Sequence, residues 1–119
     1  MASTRGLNRR WKPLAEALVQ VLREYGPYRI TSGKRSRSEQ VTLYQRWLRG
    51  DPGVMTPAPP GHSQHERGYA VDIANPHVKP KDDANLRAIG EAWRAAGGVW
   101  GGEADPVHFE APKSWTGRA

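Results

Sequence analysis

The segment YAVDIA, residues 69–74, sets the hardest condition on any fold this chain can adopt. Its alternation reads as a strand with Val71 and Ile73 on one face and Ala70 and Asp72 on the other. A carboxylate inside so apolar a strand is costly to bury unless something compensates it. A hydrogen-bond network, an arginine or a metal ion would serve. Whichever it is, distant parts of the chain must converge on this one strand.

Around that strand the periodicity predicts three helices and two further strands. Trp11, Leu14, Leu18, Val21, Leu22 and Tyr25 recur at helical spacing, with Asn8 as a candidate cap, a regular start near Lys12 and a stop at Gly26-Pro27. YRITSG, 28–33, is a short strand turning at Gly33. Ser36 or Ser38 caps a second helix with Val41, Tyr44, Trp47 and Leu48 as its stripe, and Gly50 ends it. Residues 51–61, with four prolines, are a loop. A third helix spans about Asp82 to Ala96, with Leu86, Ile89 and Trp93 inward and the aspartates at its positive end. The glycine-rich GGVWGG leads to a last strand, VHFE, on which Val107 and Phe109 share one face and His108 and Glu110 the other. This order predicts an α+β fold, a small antiparallel sheet packed against helices. At 119 residues the chain suits a single domain, 1–119, and a monomer is expected.

With no cysteine, neither disulfides nor thiolate metal sites are available. No apolar run is long enough to cross a membrane, and MASTRGLNRRWKPLAEAL lacks the apolar segment of a secretory signal. The expectation is synthesis in a cytoplasm. Charge is uneven: residues 1–50 carry 11 Lys/Arg against 3 Asp/Glu, a net +8, whereas 51–119 carry 7 against 9, a net −2. A basic first half suits a polyanion, whether nucleic acid, anionic lipid or an acidic cell-wall polymer, or is simply a solvated basic surface. A specific nucleic-acid role is not expected, because no recognised binding motif is present.

The acidic second half holds the polar constellation. Gly68 allows a tight reversal that would carry His65 back beside Asp72, and His108 lies on the polar face of its own strand. Two imidazoles and one carboxylate make a three-ligand set that leaves a fourth zinc position open to water, as catalytic zinc sites do. Asp105, three residues before His108, is a candidate proton carrier, with Glu103 competing. Arg35 is the candidate partner for a developing negative charge. His62 and His77 read as loop residues, and Glu110 as a solvated group or an acceptor that orients a ligand.

SQHERGYAVD fits the pattern Ser-x-His-x-x-Gly-x-Ala-x-Asp, and DPVHFE fits Asp/Glu-x-x-His. Together with TSGKRSRSEQVTLYQRW, APPGHSQH and WGG, in that family's order along the chain, they resemble the zinc D-alanyl-D-alanine carboxypeptidases of the VanY type. Phage L-alanyl-D-glutamate endolysins belong to the same group, and the hedgehog domain is a structural relative. The likeness runs from about residue 30 to 110. It implies a hedgehog/DD-peptidase-like fold, Zn2+ held by His65, Asp72 and His108, Asp105 as general base and Arg35 at the transition state. It also implies that Ser63 and Gln40 line the site. Trp100 is a candidate for stacking on substrate at the rim, with a structural role between its glycines as the alternative. Only Glu103 and Ala104 separate WGG from Asp105, a shorter stretch than phage endopeptidases carry, which would remove part of one pocket wall.

The resemblance implies hydrolysis of a peptide bond in peptidoglycan, either D-Ala-D-Ala or L-Ala-D-Glu, with a stem peptide as partner. The expected setting is a phage lysin made in a host cytoplasm and released to the wall, or a virion component. The alternative is a catalytically silent zinc-containing binding domain; retention of Asp105 and Arg35 argues against it.

Overall fold

The computed structural model describes residues 3–54 and 56–117. In chain order it runs α1 (Lys12–Arg23), β1 (Arg29–Ser32), α2 (Arg37–Leu48), α3 (Gln64–Arg67), β2 (Ala70–Ala74), α4 (Ala84–Ala95), β3 (Val99–Trp100), β4 (His108–Glu110) and α5 (Lys113–Thr116). The four strands form one antiparallel sheet in the order β1-β2-β4-β3. This is the α+β architecture expected. Among the described residues no helix is long and apolar enough to cross a membrane.

The three strands read from alternation are present, and β3 is an addition. Two residues carry no periodic signal of their own; Val99 and Trp100 become a strand by pairing with Glu110 and Phe109. Behind the sheet, Val71, Ile73 and Phe109 pack against Trp11 just before α1, Ala15, Val19 and Leu22 of α1 and Leu86 of α4. The buried row of α1 is thus turned from the predicted one. The smaller Ala15 and Val19 face the sheet, Leu14 and Leu18 are only partly buried, and Val21 and Tyr25 are exposed. Asn8 does not cap α1. Its Oδ1 accepts from the Arg10 amide in the turn before the helix, and Trp11 occupies the cap position. α4 starts at Ala84 under Asp83, whose Oδ1 accepts from the amides of Asn85 and Leu86 and whose carboxylate also takes the Tyr28 hydroxyl at 2.7 Å.

Two expectations fail on α2 and at Trp100. Ser36 caps α2 with a full capping box to Glu39 as anticipated. The stripe of Val41, Tyr44, Trp47 and Leu48 is not core, however. Gln40 is the buried residue of this helix, Leu48 is 63% exposed, and Tyr44 and Trp47 pair ring to ring at 5.5 Å near the surface. Trp100 is 6% exposed and part of the core, with its indole N–H donating to the Pro106 carbonyl at 2.8 Å. It is therefore not a substrate platform. Gly90 of α4 makes room for it, since a Cβ there would stand 2.2 Å from the indole ring. Gly90→Ala is expected to destabilise the fold by about 1–3 kcal/mol through overpacking. A thermal melt should show the midpoint falling by roughly 5–15 °C.

Candidate metal centre

The sheet itself assembles the centre. In register, Ser32 of β1 and His108 of β4 flank Asp72 of β2, so three adjacent strands place three polar side chains side by side. His65 arrives from the short α3. Ser63 caps that helix by accepting from the His65 amide, and Gly68 ends it at φ +78°. A side chain at Gly68 would also meet the backbone of Gly6 and Asn8 at 3.1–3.2 Å, so this reversal is built for glycine on two counts.

The three expected ligands come together. His65 Nε2 is 3.4 Å and His108 Nδ1 is 3.1 Å from the same Asp72 oxygen, and the ligand atoms of all three lie within 4.8 Å of one another. Donors about 2.0–2.2 Å from a tetrahedral zinc stand roughly 3.3–3.6 Å apart, and the two distances to Asp72 lie close to that range. The outer nitrogens are held as well. His65 Nδ1 donates to the Gly33 carbonyl at 2.9 Å, which leaves Nε2, the nitrogen facing Asp72, for a metal. His108 Nε2 is 2.6 Å from a Glu110 carboxylate oxygen, which leaves Nδ1 for a metal. Glu110 thus proves to be an acceptor on a candidate ligand and is not solvated.

The electrostatics suit a cation. Burial works against the Asp72 carboxylate, yet hydrogen bonds from His108 and His65 hold it well below the usual carboxylate range. Burial likewise opposes the charged form of His108, and Asp72 and Glu110 overcome it, lifting that imidazole to about 10. A proton on His108 thus occupies, in the metal-free centre, a position that a divalent ion would take over. Replacing Glu110 with glutamine should lower metal affinity about 10- to 100-fold, as read by competition with a chromogenic chelator.

Asp105, Arg35, Ser63 and the three candidate ligands line one cleft of about 480 Å³. Burial and the nearby Asp72 charge raise the Asp105 carboxyl above its ordinary value. Its rival falls away: Glu103 is exposed and paired with Arg87 at 2.9 Å. Gly101 is what lets Asp105 sit so close to β4, because a Cβ there would stand 2.3 Å from the Asp105 carbonyl. Burial lowers the Arg35 guanidinium somewhat against the pull of Asp72, but an arginine stays charged. Its Nε donates to Ser32, Nη1 to Gln40, and Nη2 faces Asp72 at 3.5 Å.

Gln40 does not line the cleft. It is 0% exposed, its oxygen accepts from Arg35 and its amide donates to the Ala58 carbonyl, so it positions Arg35 and one wall loop. Trp100 is absent from the lining, in keeping with its place in the core. His62 lines the cleft from the exposed loop, and His77 is exposed elsewhere. Two participants escaped the sequence reading: the Ser32 hydroxyl and the Gly33 carbonyl. Both belong to TSGKRS, the segment that also carries Arg35.

The family profile described as VanY, D-alanyl-D-alanine carboxypeptidase, matches residues 4–99, which include His65 and Asp72 and stop short of Asp105 and His108. No curated protein matches the chain. Among solved structures, the LdcB LD-carboxypeptidase aligns at TM-score 0.68 and 23% identity, over 96% of this chain and 72% of that one. The vancomycin-resistance D,D-pentapeptidase VanY from a VanB-type cassette, solved with Zn(II), aligns at 0.66 and 20%, over 93% and 76%. The Serratia marcescens L-Ala D-Glu endopeptidase ChiX aligns at 0.59 and 21%, over 95% and 86%. At these identities the likeness is one of fold.

Proposed function

The chain belongs to the VanY D-alanyl-D-alanine carboxypeptidase family, and on that footing we propose that it is a zinc peptidase hydrolysing a peptide bond in bacterial peptidoglycan. The observation that carries this reading is the meeting of a two-histidine, one-aspartate donor set with Asp105 and Arg35 in a single cleft.

A zinc ion held by His65, Asp72 and His108 would supply Lewis acidity at an open position and a water whose pKa lies near about 7. Asp105 takes the proton from the attacking water. The same carboxyl, placed in the cleft beside the candidate ligands, hands the proton on to the departing amine. Arg35, fixed by Ser32 and Gln40, presents charge toward the oxygen on which negative charge builds. Ser63 lines the cleft, but its hydroxyl is engaged in capping α3, so its part is to hold His65 in place.

The named relatives include a D,D-pentapeptidase, an LD-carboxypeptidase and an L-Ala D-Glu endopeptidase, so this fold accommodates both end-trimming and internal cleavage. Synthetic stem pentapeptide, incubated with zinc-loaded protein and resolved by mass spectrometry, separates the two. Loss of terminal D-Ala identifies a carboxypeptidase, and a break between L-Ala and D-Glu an endopeptidase. An intact peptide, with muropeptides also intact, would overturn the proposal and favour the silent binding domain. A phage-lysin role is part of the same proposal. It is supported by the basic first half, which suits docking on an anionic envelope.

A further inference from the structure

The face of α2 that carries Thr42, Leu43 and Arg46 borders two cavities that meet. Beside the metal cleft lies a groove of about 750 Å³, lined in part by Arg5, Lys34 and Glu39, and the two share Arg35, Leu43 and Arg46. Most of these charges are already engaged. Arg35 is tied to Ser32, Gln40 and Asp72; the Lys34 ammonium donates to the Glu66 carbonyl; Glu39 is locked in the capping box of α2. Arg46 is different. Its side chain is 47% exposed, and its one acid partner among the described residues is Asp51, at 3.5 Å. Arg49, which lines neither cavity, holds that same carboxylate at 2.9 Å. The loop after α2 therefore has an anchor without the Arg46 side chain. Arg5, farther along the groove, has no salt bridge among the described residues.

A glutamyl residue within a peptide has one carboxyl in the backbone and one left over. A cleft that binds such a peptide has to place that charge, and an arginine with unspent donors is the best-suited side chain for it. We propose that the junction at Arg46 is a carboxylate subsite, continued by Arg5, which receives a free acid group of the peptide away from the scissile bond. The inference rests on the peptidase reading above and adds a basis for choosing among peptides.

The test uses two synthetic stem peptides that differ only in this carboxyl, free in one and amidated in the other. Zinc-loaded wild-type protein is expected to favour the acid by roughly tenfold or more in kcat/KM, mostly through KM. In Arg46→Gln that ratio should collapse toward one, and Arg46→Lys should restore part of it. Arg49→Gln, which removes the closer grip on Asp51, should keep the full preference. Thermal midpoints and zinc content, measured alongside, show that each variant is folded and loaded. Equal cleavage of the two peptides by wild type, an unchanged ratio in Arg46→Gln, or collapse of the ratio in Arg49→Gln would each overturn the subsite and leave the peptidase standing. Cleavage of neither peptide by wild type would overturn both.

Discussion

Asp105→Asn is expected to lower kcat by about 10²- to 10⁴-fold, the usual contribution of a positioned proton carrier, while zinc content stays at that of the wild type. Asparagine keeps the size and shape of the side chain. The backbone bond from the His108 amide to the residue 105 carbonyl does not depend on the side chain, so β4 stays in place. Stability should hold or rise. A carboxyl whose pKa is raised in the folded state is one whose charged form the fold disfavours, here through burial and the nearby Asp72. A loss of rate with no loss of metal or of thermal midpoint is the signature of a group acting on protons, the kind of trade between stability and activity that functional sites make. Wild-type turnover in this variant would remove Asp105 from the chemistry.

Asp72→Ala should do the opposite, abolishing metal retention and activity together. Its carboxylate meets His65, His108 and Arg35, and nothing else in the row across the sheet carries negative charge to replace it. Removing one partner of a fully buried ion pair costs about 3–5 kcal/mol; with Asp72 17% exposed, about 2–4 kcal/mol is expected for the metal-free protein. Zinc analysis after dialysis and a thermal melt read the two effects separately. Asp72→Asn, which keeps an oxygen but not the charge, should fall between. Retention of zinc by the alanine variant, at an unchanged midpoint, would show that the metal is held elsewhere.

These two residues also mark how far the sequence could be read. Asp72 was conspicuous because a strand's alternation is local and a charge within it stands out. His65, His108, Asp105 and Arg35 followed from motif spacing, and the structure brings all five to one cleft. What stayed hidden depends on contacts between distant segments. β3 exists only because β4 runs beside it, and two residues in a glycine run have no period to reveal them. Val41, Tyr44, Trp47 and Leu48 have the spacing of a core stripe, but periodicity cannot tell a face turned to a core from one left near solvent. Trp100, between glycines in sequence, looked free to stack on a ligand. The room that Gly90 leaves for it on α4 belongs to the tertiary structure alone. Gln40 was given to the cleft wall, whereas its two amide ends are used up on Arg35 and Ala58.

The central claim, hydrolysis that depends on a zinc ion held by His65, Asp72 and His108, is tested most directly by metal and turnover measured on one sample. The purified protein is analysed for zinc, assayed for new amino groups released from purified peptidoglycan, stripped with a chelator, assayed again, and reloaded. The account predicts about one zinc per chain, release that vanishes on stripping, and release that returns with zinc. Release that survives complete removal of the metal would contradict it.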